Sequence, residues 1–270
     1  MSTVVNEPGA AVARQRTYDA DALAAQFVAA RTANGVASAL DTVEPALRPA
    51  NSDDAYDVQH ATVRVLGGRI GGWKVGSKSL DGPIQGAPLP AAGVFREPVT
   101  LPRASFVKPG LELEIAFTLG RRFEPHSGPY DDATVVAAIE SVHAAIEVVA
   151  TRFRAWPDVD KLWQLADLQN HGALVVGEGV PYDAAYPFVA PSMRFTFDGA
   201  SAFGGTPANP AGDPRRLLAW VVNHSVARGV AVEPGTVLTA GSYTGLFVLS
   251  SPGVAHGEID GLPPVAVKLV

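Results

Sequence analysis

"LELEIAFTLG", Leu111–Gly120, decides the fold class. Leu111, Leu113, Ile115 and Phe117 alternate with Glu112, Glu114, Ala116 and Thr118, the period of a strand with one buried face. Because side chains alternate along a strand, Glu112 and Glu114 project from the same face, about 6.5–7 Å apart. Two like charges so placed repel unless something positive lies between them. A hard divalent cation, Mg²⁺ or Mn²⁺, suits such oxygen ligands. A strand with one solvated polar face has the same pattern, so the motif alone leaves both readings open.

The next apolar run, "AIEVVATRF" (Ala145–Phe153), carries a lone carboxylate, Glu147, between Ile146 and Val148. A carboxylate in such a run is costly unless it is paired or coordinated. It is either a third ligand beside Glu112 and Glu114 or the partner of Arg152 or another cation.

On both sides the pattern mixes helices and strands. Residues 17–34 read as an amphipathic helix capped by Thr17 or Asp19, with Leu23, Phe27 and Ala30 on one face. A second helix runs from a Ser52 or Asp53 cap to Gly67-Gly68, burying Ala55, Val58, Thr62 and Val65. "RIGGWKVGS" is a short strand that sets Lys74 among glycines. Residues 81–98, rich in Pro and Gly, read as an irregular loop. "DDATVVAAIESVHA" reads as a helix from Val135, Ile139 and Val142. Strands are expected at "ALVVG", "SMRFTFDG", "TVLTAGSYTG" and "PPVAVKLV", and a helix at 212–229 with Asp213 as cap and Pro214 in its first turn. The order favours an α+β fold with a large mixed sheet. A single catalytic domain is expected, with a flexible arm at 1–15, a helical lobe at 16–90 and a β-rich, metal-binding core at 91–270.

With 270 residues, 47% hydrophobic and 18% charged, the chain can build a full core without staples. The formal net charge of -6 argues against a nucleic-acid footprint, and the absence of cysteine excludes disulfides and thiol nucleophiles. With no apolar run of about 20 residues and no signal-like start, no membrane partner and a cytoplasmic location are expected.

Several segments, in order, resemble the fumarylacetoacetate hydrolase superfamily, most closely its 2-keto-4-pentenoate hydratase and 4-oxalocrotonate decarboxylase group. They are "DDAYDVQ", "GGWKVG", "LELEIAFTLGR", "AIEVVATRF", "LADLQNHGALVVG", "GDPRRLLAW" with "ARG", and "GTVLTAGSYTG". The resemblance implies a fold of that superfamily's type, with Glu112, Glu114 and Glu147 as ligands of one Mg²⁺ or Mn²⁺. It implies that Lys74 is the catalytic lysine, with glycines around it that let substrate approach. Ser242 and Thr244, in the Gly241–Gly245 turn, would hold a substrate carboxylate, and His171 would touch substrate.

The implied reaction is hydration of a 2-hydroxy-2,4-dienoate to a 4-hydroxy-2-oxo acid by a homo-oligomer in aromatic-compound catabolism, associated in one version with a decarboxylase. Alternatives are decarboxylation of a 2-oxo diacid, C–C hydrolysis, and an inactive assembly partner. The chain departs from the hydratase pattern at Ala150, at Leu168 and in an acid-free segment from Gly82 to Phe95. That segment predicts a mono-carboxylate substrate with an apolar tail. Glu147, where the hydrolases have Asp, and Lys74 favour the lyase side. His126 and His143 read as surface or helix histidines.

Overall fold

The computed structural model describes residues 19–32, 36–125 and 128–270. The expected arm, Thr17, the helix stop at Asn34-Gly35 and His126 lie outside the described residues. Two helices open the fold, α1 (Ala20–Thr32) and α2 (Ser52–Val65). Asp19 accepts a hydrogen bond from the Ala22 amide, and Leu23 and Phe27 are sealed against α2. The cap of α2 is Asn51, one residue earlier than expected, which accepts from the Asp54 amide. Val65, expected to be inside, is exposed at the end of the helix.

The chain then enters a large sheet through β1 (Ile70–Gly76), β2 (Gln85–Pro90) and β3 (Val94–Arg96). A short β4 (Thr100–Leu101) precedes β5 (Val107–Leu119), and β6 (Ile139–Thr151) and β7 (His171–Pro181) complete the middle. After β8 (Met193–Phe197) and β9 (Ala200–Ser201) come β10 (Val237–Ser242), β11 (Phe247–Val248), β12 (Gly253–Ile259) and β13 (Val265–Leu269). The large sheet has the order β2-β1-β10-β5-β6-β7-β3, with β11 added to β5. The smaller sheet has the order β4-β13-β12-β8-β9. Three further helices are α3 (Asp132–Val136), α4 (Lys161–Ala166) and α5 (Leu218–Ala227). The class is α+β, as the alternation of β5 implies.

Two segments differ from their reading. The stretch read as a helix over 131–144 is helical only to Val136, and Ile139 and Val142 belong to β6. β6 lies between β5 and β7 and is buried almost throughout, so its apolar residues follow no period of two and mimic a helical face. His143 therefore sits in a strand, buried, with Nδ1 3.0 Å from the Gly177 carbonyl and Nε2 2.9 Å from Thr118 Oγ1. The Pro/Gly-rich stretch read as a loop contains β2 and β3, which are the two edges of the sheet, where proline removes no ladder bond that a neighbour needs. β1 and β2 thus join the sheet rather than the helical lobe, and α4, from later in the chain, packs on α2.

The core explains the orientation of β5. Leu111, Leu113, Ile115 and Phe117 are fully buried, and a Cβ added to Gly257 of β12 would meet Leu113 at 2.4 Å. One face of β5 is thereby covered by the smaller sheet. Glu112 and Glu114 take the other face, towards the helical lobe. Among the described residues no helix is long and apolar enough to cross a membrane.

Candidate functional site

Four strands bring the charged residues together. β5 and β6 are antiparallel with Glu112 directly opposite Glu147, and β10 sets Ser242 opposite Glu114. β1 runs parallel to β10, with Lys74 beside Thr239. One carboxylate oxygen from each of Glu112, Glu114 and Glu147 lies within 4.8 Å of the others. Like charges directly opposite on a strand pair are destabilising, so this register is unfavourable in the absence of a cation.

The surroundings sharpen the point. Glu147 is fully buried; its Oε1 accepts from Lys74 Nζ at 2.6 Å and lies 3.3 Å from His171 Nδ1. Its other oxygen, Oε2, is buried and has no hydrogen-bond partner among the described residues. Such an oxygen demands a proton or a cation. Glu114 is buried and accepts from Thr239 Oγ1.

Burial, then the charge of Glu147, push the carboxyls of Glu112 and Glu114 above the usual range. Burial acts against Glu147 too, but Lys74 and His171 hold it below that range. For Lys74 burial favours the neutral amine, yet Glu147, Glu112 and Glu114 together keep the ammonium above its ordinary value. Three crowded carboxylates and one ammonium leave a negative excess and an orphaned oxygen, which fits a divalent cation. The alternative pairing of Glu147 with Arg152 does not occur; Arg152 Nε donates to Asp167 Oδ1 at 2.6 Å.

A cleft of about 630 Å³ opens over the carboxylates. Lys74, Glu112, Glu114, Glu147, Gly241, Ser242 and Gly245 line it. Thr244 turns away from it: its Oγ1 accepts from the Leu113 amide at 3.2 Å and ties the turn to β5. The turn itself needs left-handed backbone at Gly241 (φ 87) and Gly245 (φ 70). His171, read as a substrate contact, is buried at 1% exposure against Glu147 and does not line the cleft. Its imidazole is held largely neutral by burial, with a pKa near 4.

The glycines around Lys74 divide in role. A Cβ at Gly72 would lie 2.7 Å from the Val237 carbonyl, so Gly72 serves the approach of β10 and not of substrate. Gly76 faces the cleft with open space.

Several lining groups escaped the sequence reading. Asn209 donates from Nδ2 to the Ala240 carbonyl at 2.7 Å and braces the turn. The Gln169 carbonyl accepts from Lys74 Nζ at 3.2 Å. Leu168, Gln169 and Asn170 are all left-handed (φ 49, 50 and 58), three non-glycine residues in succession in a conformation that costs each of them energy. A backbone carbonyl leaves no signal in a sequence. Lys78 and Lys161 also line the cleft, are exposed, and form no ion pair among the described residues. Of the acid-free segment only Pro83 and Gln85 reach the cleft, so that segment does not set the polarity of its wall.

No family model matches the chain. It is 28% identical over 207 residues to a 2-keto-4-pentenoate hydratase of Burkholderia vietnamiensis, covering 74% of this chain and 78% of that one. A 4-oxalocrotonate decarboxylase of a Pseudomonas species is 31% identical over 156 residues, 56% of this chain and 57% of that one. Among solved structures, 4-oxalocrotonate decarboxylase from Pseudomonas putida G7, complexed with magnesium and adipate, superposes with a TM-score of 0.79. That match has 19% identity and covers 93% of this chain and 97% of the other. Fumarylpyruvate hydrolase from Pseudomonas aeruginosa, with Mn²⁺ and pyruvate, has a TM-score of 0.55 at 12% identity, covering 73% and 88%. Motif order, sequence relatives and fold point the same way: the chain is similar in sequence to 2-keto-4-pentenoate hydratases and to a 4-oxalocrotonate decarboxylase, and it shares the fold of solved members of the fumarylacetoacetate hydrolase family.

Proposed function

We propose that this chain is a divalent-cation-dependent hydratase that adds water to a 2-hydroxy-2,4-dienoate to give a 4-hydroxy-2-oxo acid. The observation that carries the reading is the contact of Lys74 with one oxygen of Glu147 while its other oxygen is left unpartnered, in a carboxylate that approaches Glu112 and Glu114 to within 4.8 Å. Glu112, Glu114 and Glu147 would hold Mg²⁺ or Mn²⁺. When bound, the cation supplies Lewis-acid withdrawal of electron density from a chelating 2-oxo acid.

The chain's own groups do the rest. Lys74 Nζ holds a proton that three carboxylates keep in place; it would give that proton to C5 of the dienoate and recover one from the 2-hydroxyl, ending as the ammonium it began as. The resulting enone accepts water, with hydroxyl at C4 and the remaining proton at C3, so atoms balance without any further reactant. Ser242 and the amides of the Gly241–Gly245 turn orient the substrate carboxylate. Thr244 acts on that turn from behind. His171 and the Gln169 carbonyl hold Glu147 and Lys74 in register.

A second reading, decarboxylation of a 2-oxo diacid, is favoured by one observation, the exposed Lys78 and Lys161 on the cleft wall. They offer charge to a second carboxylate, against the mono-carboxylate expectation. A panel of 2-hydroxydienoates with and without a terminal carboxylate separates the readings. Hydration removes the dienol absorbance without releasing CO₂, and EDTA abolishes the change while Mg²⁺ or Mn²⁺ restores it. Stoichiometric CO₂ release would replace the hydratase reading by the decarboxylase one.

A further inference from the structure

The segment "DDAYDVQ" (Asp53–Gln59) lines no part of the cleft, yet it ends on a fully buried polar side chain of α2, Gln59. Gln59 Nε2 donates to the Gly86 carbonyl at 3.2 Å and to the Leu165 carbonyl at 2.6 Å. Its Oε1 is buried without a hydrogen-bond partner among the described residues. A buried acceptor left in that state costs stability. Turning the amide over would be worse, because an oxygen would then face two carbonyl oxygens. The amide is placed for its two donors.

Those donors join the two walls of the cleft. Leu165 lies in the last turn of α4, where main-chain oxygens have no partner within the helix. Gly86 lies on β2, an edge of the large sheet, opposite Val75 and next to Ala87, the partner of Lys74. One wall is the β1-β2 pair, with Lys74 and Gln85; the other is α4 and the turn after it, with Gln164 and Gln169. The hydrogen bond from Lys74 Nζ to the Gln169 carbonyl, 3.2 Å long, crosses between the same two walls.

That contact depends on outside support. The turn after α4 holds the three left-handed residues, a strained state that persists only where its surroundings enforce it. At the start of the turn Asp167 is pinned by Arg152 Nε at 2.6 Å and by Arg31 Nη2 at 3.5 Å. Two residues earlier, Gln59 pins the end of the helix. A lysine ammonium has three N–H donors, and Glu147 and the Gln169 carbonyl take two of them. The third is left for the cleft that Lys74 lines.

We propose that Gln59 is a positioning residue for Lys74: its one amide fixes the spacing between the strand pair that carries the lysine and the turn whose carbonyl aims it. The inference rests on the reading of the cleft as the active site with Lys74 as its proton donor.

The test is a double-mutant cycle in the full chain. Gln59→Met keeps the length of the side chain and deletes both donors. With Mg²⁺ and the dienoate that wild type turns over, kcat should fall by about tenfold or more, the equivalent of one charge-assisted hydrogen bond, with KM and Mn²⁺ binding little changed. In a Lys74→Met background the same substitution should move the residual rate by less than about twofold, because the group it acts through is gone. An equal fall in both backgrounds makes Gln59 a structural brace and overturns the proposal, as does an undiminished kcat. Gln59→Asn keeps the amide but falls a methylene short, and it takes the place of Gln59→Met if that variant does not fold. The cycle is also read as the urea midpoint in EDTA, which needs no substrate. Gln59 and Lys74 share no hydrogen bond among the described residues, so independent sites would give additive losses. The two substitutions together should cost less than their sum, and additive losses overturn the proposal. A wild type inert on every dienoate removes the hydratase reading, and the urea cycle then decides this inference by itself.

Discussion

The cleft and the contact between α2 and α5 both bury ionisable side chains, and they treat them in opposite ways. In the cleft Lys74 touches Glu147, with Glu112 and Glu114 close by, so burial is opposed by opposite charge and the ammonium and Glu147 stay ionised. Between the helices His60 and His224 sit among Tyr56, Trp73 and Trp220, with His224 stacked on Trp220 at 4.6 Å and 14°. The Nε2 atoms of both histidines are buried without a hydrogen-bond partner among the described residues. Nearby, Asp57 and Asp53 are taken by Arg228, at 2.8 and 3.2 Å. Burial therefore wins, and the histidines are held neutral with values near 4 and near 3. A shifted ionisable group is thus no marker of chemistry by itself. The cleft differs because Lys74 and Glu147 retain their charges, and one carboxylate oxygen is left free.

The strongest way to break this contrast is Glu147→Gln. It removes a ligand oxygen and the counter-charge of Lys74 together. Turnover should fall by more than about 10⁴-fold, the upper end for loss of a single proton-transfer group. Mn²⁺ binding followed by electron paramagnetic resonance should also be lost. Normal metal content and rate in this variant would remove the cleft's claim to be the site.

Lys74→Met comes next. It deletes the charge while keeping the stem, so the strand should form and the cation should still bind. The ammonium matters most as negative charge develops, so kcat should fall by about 10²–10⁴-fold with KM little changed. An active variant would make Lys74 a counter-ion and no more.

Asp167→Asn tests the ion-pair network behind the cleft. It leaves Arg152 and Arg31 buried without their shared carboxylate, and breaking a buried pair from one side typically costs about 3–5 kcal/mol. The urea midpoint should drop accordingly. Asp167 is followed directly by the left-handed Leu168–Asn170 segment, whose Gln169 carbonyl holds Lys74, so kcat should fall in the variant that still folds.

The contrast also separates what was legible from what was not. The alternation of β5 exposed both the sheet and the Glu112/Glu114 face, because a half-buried strand writes its environment into every second residue. β6 wrote nothing comparable: buried on both sides, it looks the same to a strand and to a buried helix, and only its pairing with β5 and β7 decides. The edge strand β2 was hidden by prolines that an edge tolerates. In the site, single carboxylates in apolar surroundings were visible. The contact of Lys74 with Glu147 spans 73 positions and the brace on Lys74 is a main-chain oxygen, so neither has a local signature. His171 matched a pocket-lining segment, yet strand register turned it behind Glu147.

The smallest expected effect concerns the two histidines and the sign of acid sensitivity. Their folded values lie below the unfolded value of about 6.5. The unfolded chain therefore binds protons that the folded chain refuses, and stability falls as pH drops from about 6.5 toward 4. The dependence fades over the unit above 6.5, as the unfolded histidines lose their protons. Between pH 6.5 and 5 the loss should be about 2 kcal/mol for the pair, after allowing for their partial exposure. Glu112 and Glu114 act in the other direction in metal-free protein, since their folded values are raised and acid relieves their repulsion. The two regions thus oppose each other in one titration. Replacing both histidines, His60→Phe with His224→Phe, keeps the ring stack and leaves the cleft untouched. The difference in urea midpoint between wild type and this double variant, both in EDTA, isolates the histidine contribution because the cleft's contribution cancels. That difference should shift between pH 6.5 and 5 in favour of the variant and stay flat above about pH 7.5. A flat difference throughout would mean that His60 and His224 take up protons as freely folded as unfolded, and that burial between α2 and α5 does not hold them neutral.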